Sequence, residues 1–168
     1  MFSMAHSQKQ LVISSSGGGA FHVYNFKTDD GSPLWDHRFG WPGGKHDHGK
    51  AMSRPAVAGN RLFVRPHVFD LASGKVLPIT VPSGGCGTYA CAGDNLFFRN
   101  GNVTMWNAKT NATSSWARLR PGCWLSTIAA DGMLLSPEAG GGCSCGNWLE
   151  TSISFSPGTK PADRAAAP

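Results

Sequence analysis

The chain has 168 residues, a formal net charge of +5, and 22 glycines beside 11 prolines. Only two of its acidic residues are glutamates, Glu138 and Glu150, which excludes a helix-rich protein because glutamate is favoured on exposed helix faces. The 40% hydrophobic content excludes a disordered chain, and the positive charge, carried by scattered residues such as Lys9, Lys27, Arg38 and Arg54, offers no clustered face for a nucleic acid.

The first ten residues, Met1 to Gln10, lack the charged-then-apolar plan of a secretory signal. No apolar run approaches the roughly 18 residues of a membrane span. Leu11-Val12-Ile13 reads as a short strand and Ser14 to Gly19 as a turn. Ala20 to Phe26 alternates apolar with other residues, the period of a half-buried strand. Asp29-Asp30-Gly31 is a hairpin signal, followed by a strand over Pro33 to Phe39. A loop rich in glycine, Gly40 to Gly49, comes next, and then the same grammar returns.

The second copy runs Arg61-Leu62-Phe63-Val64, His67 to Leu71, the turn Ala72-Ser73-Gly74-Lys75, and Val76 to Ile79. A third runs Leu96-Phe97-Phe98, Val103 to Asn107, Lys109-Thr110-Asn111, and Ser115 to Leu119. A fourth begins at Asp131-Gly132-Met133 and ends near Ile153 to Phe155. Gly59, Gly93 and Asp131 are 34 and 38 residues apart, and Gly31, Gly74 and Asn111 are 43 and 37 apart. A period of about 40 residues holding about four short strands is the size of a β-propeller blade. The expected fold is therefore all-β: about four antiparallel four-stranded blades over residues 1–157, a partial ring, with a disordered tail over 158–168. A β-sandwich is the competing architecture.

The units Asp30-Gly31-Ser32-Pro33-Leu34-Trp35 and Phe69 to Leu77 resemble the repeat of pyrroloquinoline-quinone-like (PQQ-like) β-propellers. The stretch through Gly85-Cys86-Gly87, Arg120 to Trp124, Pro137-Glu138-Ala139 and Cys143-Ser144-Cys145 resembles the C-terminal blades of large bacterial proteins containing that propeller. The resemblance implies seven or eight blades in a closed ring. The chain is accordingly read as the C-terminal part of a longer polypeptide, or as a chain that pairs with another half or with itself. Quinoprotein dehydrogenases of this kind carry a vicinal Cys-Cys pair and a carboxylate-rich calcium site, and this sequence has neither.

Four of the five cysteines, Cys86, Cys123, Cys143 and Cys145, fall in the motifs that carry the resemblance, leaving Cys91 as the odd one. Two disulfides among those four would staple the loops of the last blades and suit a periplasmic or secreted location. Buried free thiols and a thiolate zinc site are the alternatives. His46 and His48 form the only local pair of imidazoles able to ligate a divalent metal. Trp41 and Trp148 are candidate binding residues, since they lie in loop-like contexts rather than at blade spacing, and Glu138, after Pro137, joins them because most other carboxylates occupy turn positions. No cofactor is expected. The expected role is a non-catalytic scaffold that binds a protein partner or the remaining blades; the alternative is a fragment of a quinoprotein-type (PQQ-dependent) or metal-dependent oxidoreductase.

Overall fold

The computed structural model describes residues 2–7, 9–17, 20–40, 55–84, 88–119, 127–137, 152–156 and 158. Among them every regular element is a strand, and the strands form four sheets. The first sheet is β1 (Phe2–Ser7), β2 (Gln10–Gly17), β3 (Ala20–Lys27) and β4 (Pro33–Gly40). The second is β5 (Ala56–Ala58), β6 (Arg61–Val64), β7 (His67–Asp70) and β8 (Val76–Thr80). The third is β9 (Ala90–Ala92), β10 (Asn95–Asn100), β11 (Asn102–Asn107) and β12 (Thr113–Trp116). In the fourth, β13 (Ile128–Ala130), β14 (Met133–Ser136) and β15 (Ile153–Phe155) are described. Each strand pairs antiparallel with the next in its sheet. The first strands lie side by side, β1 by β5, β5 by β9 and β9 by β13, so the sheets fan out from a common inner edge.

The repeat expected from the spacing is present, with two corrections. Ser14 to Ser16 belong to β2 and pair with Val23, His22 and Phe21, rather than forming the turn. The opening strand of each sheet is not among the expected strands: β1 occupies the polar-mixed first residues, and β5, β9 and β13 are three residues long and alanine-bearing. Such short segments carry no legible alternation. They are strands because the longer neighbour supplies their hydrogen bonds.

The turns explain why the meander repeats. In three sheets the residue closing the third strand donates its amide to the carbonyl five residues on: Lys27 to Ser32 (2.9 Å), Asp70 to Lys75 (2.8 Å) and Asn107 to Ala112 (2.9 Å). The fifth residue of each turn, Gly31, Gly74 or Asn111, has φ of 70°, 72° or 58°, the left-handed region open to glycine and tolerated by asparagine. Asp70 Oδ1 accepts the Ser73 amide at 2.8 Å and hydroxyl at 2.7 Å, and Asn107 Oδ1 accepts the Thr110 amide at 2.9 Å. The Ser73 hydrogen bonds hold the Asp70 carboxyl below its ordinary pKa.

Alternation along the strands puts two apolar faces on each inner sheet, and three separate cores fill the gaps between sheets. Val12, Phe21 and Val23 meet Leu62, Val64 and Phe69 between sheets one and two. Phe63 and Val68 meet Leu96, Phe98 and Trp106 between sheets two and three. Phe97 and Val103 meet Leu134 and Phe155 between sheets three and four. The first gap is also tied by hydrogen bonds: the Leu71 carbonyl accepts from Asn25 Nδ2 and from Trp35 Nε1, both at 2.9 Å. Arg61 of sheet two pairs with Asp94 in the turn that opens sheet three.

Candidate functional site

Because the sheets are successive copies, their strand registers define equivalent positions. Leu11–Phe26, Leu62–Phe69, Leu96–Trp106 and Leu134–Phe155 are directly opposed pairs at one such position. In sheets two to four this pair faces the preceding sheet, and Leu62, Phe69, Leu96 and Trp106 are fully buried there. In sheet one the pair is only half-buried. Leu11, Ile13, Tyr24 and Phe26 form an apolar face with no sheet against it among the described residues. His22, Tyr24 and Phe26 run along this face with ring centroids 4.0 and 6.2 Å apart. The Tyr24 hydroxyl lies 2.7 Å from His22 Nδ1, and His22 Nε2 lies 2.9 Å from Asp36.

The opposite end of the stack has a matching surface. Phe63, Phe97 and Leu135 are equivalent, each opposed to the first strand of its sheet at Ala56, Ala90 and Ile128. Phe63 and Phe97 are buried by the next sheet. Leu135 is half-buried, Ile128 is 54% exposed and Met133 on the same face is 40% exposed. Apolar residues gathered on one exposed face make it a candidate interaction surface.

A third feature is a crevice of about 450 Å³ between sheets three and four, lined by Phe97, Met105, Trp116, Leu134 and Phe155. It exists because Phe155 stands where sheet three has the larger Trp106, and because Ala129 and Ala130 leave its wall low. Trp116 and Phe155 meet across it at 5.8 Å. Its lining is mostly apolar, with Asp131 and Ser156 as the polar exceptions, which suits a hydrophobic side chain better than a charged substrate.

His67 lies at the gap between sheets one and two, against Phe39 at 4.5 Å; burial and then the neighbouring His37 push its pKa below the ordinary value. Cys91 is a free thiol in the core between sheets two and three, its pKa raised to about 11 by burial, which outweighs the opposing charge of Arg61. Arg65 is buried with its guanidinium 4.7 Å from the Tyr89 ring and 5.1 Å from that of Phe98.

The candidates chosen from sequence, Cys86, Cys123, Cys143, Cys145, Trp41, Trp148, Glu138, His46 and His48, lie outside the described residues. The strand ends that flank their segments share a rim: Gly40 and Pro55, Gly84 and Thr88, Leu119 and Thr127, Pro137 and Ser152 all sit opposite the turns at Gly59, Gly93 and Asp131. Among the described residues no three His, Cys, Asp or Glu side chains come together. The described aspartates do not fit a quinone-supporting calcium site: Asp29, Asp30, Asp70, Asp94 and Asp131 serve turns, and Asp36 lies on β4. The two end faces and the crevice escaped sequence reading because Phe26 and Ile128 look like core residues of any other copy.

No protein-family model and no curated protein matches the chain. Among solved structures it is similar to the crystal structure of BamB from Moraxella catarrhalis, with a TM-score of 0.53 and 14% identity, over 80% of this chain and 42% of that one. The chain thus spans less than half the length of that structure. The likeness shows the fold: the four sheets are blades of a β-propeller. Among the described residues no helix is long and apolar enough to cross a membrane.

Proposed function

We propose that this chain is a non-catalytic propeller segment that acts as a protein-binding scaffold, working with further blades beyond its own four. The observation that carries this reading is the exposure of Ile128 and Met133 at one end and the incomplete burial of Leu11 and Phe26 at the other, where the equivalent Leu62, Phe69, Leu96 and Trp106 of the inner blades are fully buried. Burying such surface against a partner is favourable by about 25 cal/mol per Å² of apolar area. In this reading the loops of the rim opposite the turns form the adaptable surface, with Trp41, Trp148 and Glu138 as contact residues. Disulfides among Cys86, Cys123, Cys143 and Cys145 hold those loops in an extracytoplasmic compartment.

One preparation tests the reading. The chain, produced in an oxidising compartment, is mapped for thiol oxidation and then assayed with PQQ, calcium and an electron-accepting dye over a panel of alcohols and sugars. The expected result is oxidised Cys86, Cys123, Cys143 and Cys145 with no dye reduction above buffer. Substrate-dependent dye reduction overturns the scaffold role, and five free thiols overturn the disulfides and the compartment.

A further inference from the structure

Among the described residues the two end faces are unpartnered, and they have the make-up of the two sides of one inner joint. At every inner gap, the face carrying Phe63 or its equivalent meets the face carrying the Leu–Phe or Leu–Trp pair of the following blade. Blade four presents the first kind of face, Leu135 with Ile128 and Met133, and blade one presents the second, Leu11 with Phe26. What fits blade four is therefore a blade-one face, and what fits blade one is a blade-four face.

Resting on the scaffold reading above, we propose that the occupant of both faces is a second copy of this chain, blade four of each copy packing on blade one of the other. Both joints form at once, so two stacks of four blades close a ring of eight, within the range that propellers adopt. The coverage of 42% of the BamB chain by this one is in keeping with two copies making up a ring of that size. Closure removes the exposed faces altogether, whereas a single open joint would leave one pair exposed and propagate into filaments.

The polar edge of the joint adds a specific contact. At the inner gap Arg61 reaches Asp94, a turn residue whose carbonyl accepts the Ala108 amide. In blade one that turn position is Lys9, whose carbonyl accepts the Thr28 amide; in blade four the register position of Arg61 is Met133, opposed to Ala130 as Arg61 is to Ala58. Across the proposed joint, Met133 of one copy meets Lys9 of the other. Both are exposed in the single chain, so changing them leaves each copy's own core intact.

Sedimentation velocity of the full chain through the micromolar range is the test. The expected result is a discrete dimer. Met133→Lys places two cations at each joint and weakens it by roughly tenfold or more, and adding Lys9→Glu restores it. Phe26→Asp and Ile128→Asp each give monomers; mixed, they form a pair through the one joint whose faces are both intact, weaker than wild type by roughly 10²-fold or more because the second joint is lost. A wild-type chain that stays monomeric overturns the proposal and assigns the faces to blades of another polypeptide. So does a dimer that Ile128→Asp disrupts but Phe26→Asp does not, since that is a face-to-same-face contact. Neither result touches the dye and thiol outcomes that decide the scaffold reading.

Discussion

Gly31 and Gly74 occupy the same place in their turns and have almost the same φ, 70° and 72°, yet they answer to different constraints. A Cβ on Gly31 meets nothing within 4 Å, whereas one on Gly74 lands 2.6 Å from the Trp35 ring of the preceding blade. Gly31→Ala carries only the left-handed backbone cost, about 1 kcal/mol. Gly74→Ala adds an overpacking cost of about 1–3 kcal/mol, and because Trp35 also donates to the Leu71 carbonyl, the shift disturbs the joint between blades. Urea denaturation of the two variants measures the difference; equal midpoints would show that Trp35 yields freely. Sequence reading gave both glycines the same hairpin role, correctly, since φ is a local demand. It offered no sign of the tryptophan above one of them, which depends on the packing of one blade on the next.

Between elements, the same distinction separates what was legible from what was not. The four-copy meander could be read because turn chemistry repeats at Asp30-Gly31, Ser73-Gly74 and Thr110-Asn111 and because β3 alternates buried and half-buried residues. The first strands could not, being short and supported by pairing rather than by pattern. Nor could the end faces: Phe26 and Phe69 carry the same signal, and only the presence of a neighbouring sheet makes one of them core. The gap between blades one and two contributes a pH effect. His67 has a lowered pKa in the folded protein, so the unfolded chain takes up a proton near pH 6.5 before the folded one does. Stability is full above about pH 6.5 and falls as pH drops through and below that value. His67→Leu should flatten this dependence between about pH 7 and pH 5, as followed by the thermal midpoint; an unchanged slope would place the titrating group elsewhere.

At the scale of the molecule, the three cores are nearest-neighbour interfaces in a linear array, and stability is approximately a sum over blades and joints. Blades two and three have both faces covered, and blades one and four have one each. Amides of β6, β7, β10 and β11 are therefore expected to exchange most slowly with deuterium, and those of β13 to β15 most quickly. Raising the protein concentration should add protection to β2, β3 and β14 selectively, since only the end blades gain a neighbour. Uniform protection across the blades at every concentration would mean that the array unfolds as one unit. The candidate loop residues belong to this scale as well: their types and spacings are plain in the sequence, but their chemistry depends on which strand ends bring their segments together, and that is a property of the whole fan of sheets.

The three turns that close on Lys27, Asp70 and Asn107 share one main-chain hydrogen-bond scheme although their second and third residues differ. Their shape is written in the backbone, in one permissive fifth position and in the Ser73 and Thr110 side chains that bond back to Asp70 and Asn107, which leaves the exposed third residue of each turn, Asp29, Ala72 or Lys109, with little to answer to inside the protein. Such tips can drift, or be rewritten, without the fold registering the change. A molecule of this kind holds its history in its strands and its capacity for novelty in its turns: new recognition can be acquired by substitution at Asp29, Ala72 or Lys109 long before any blade is altered.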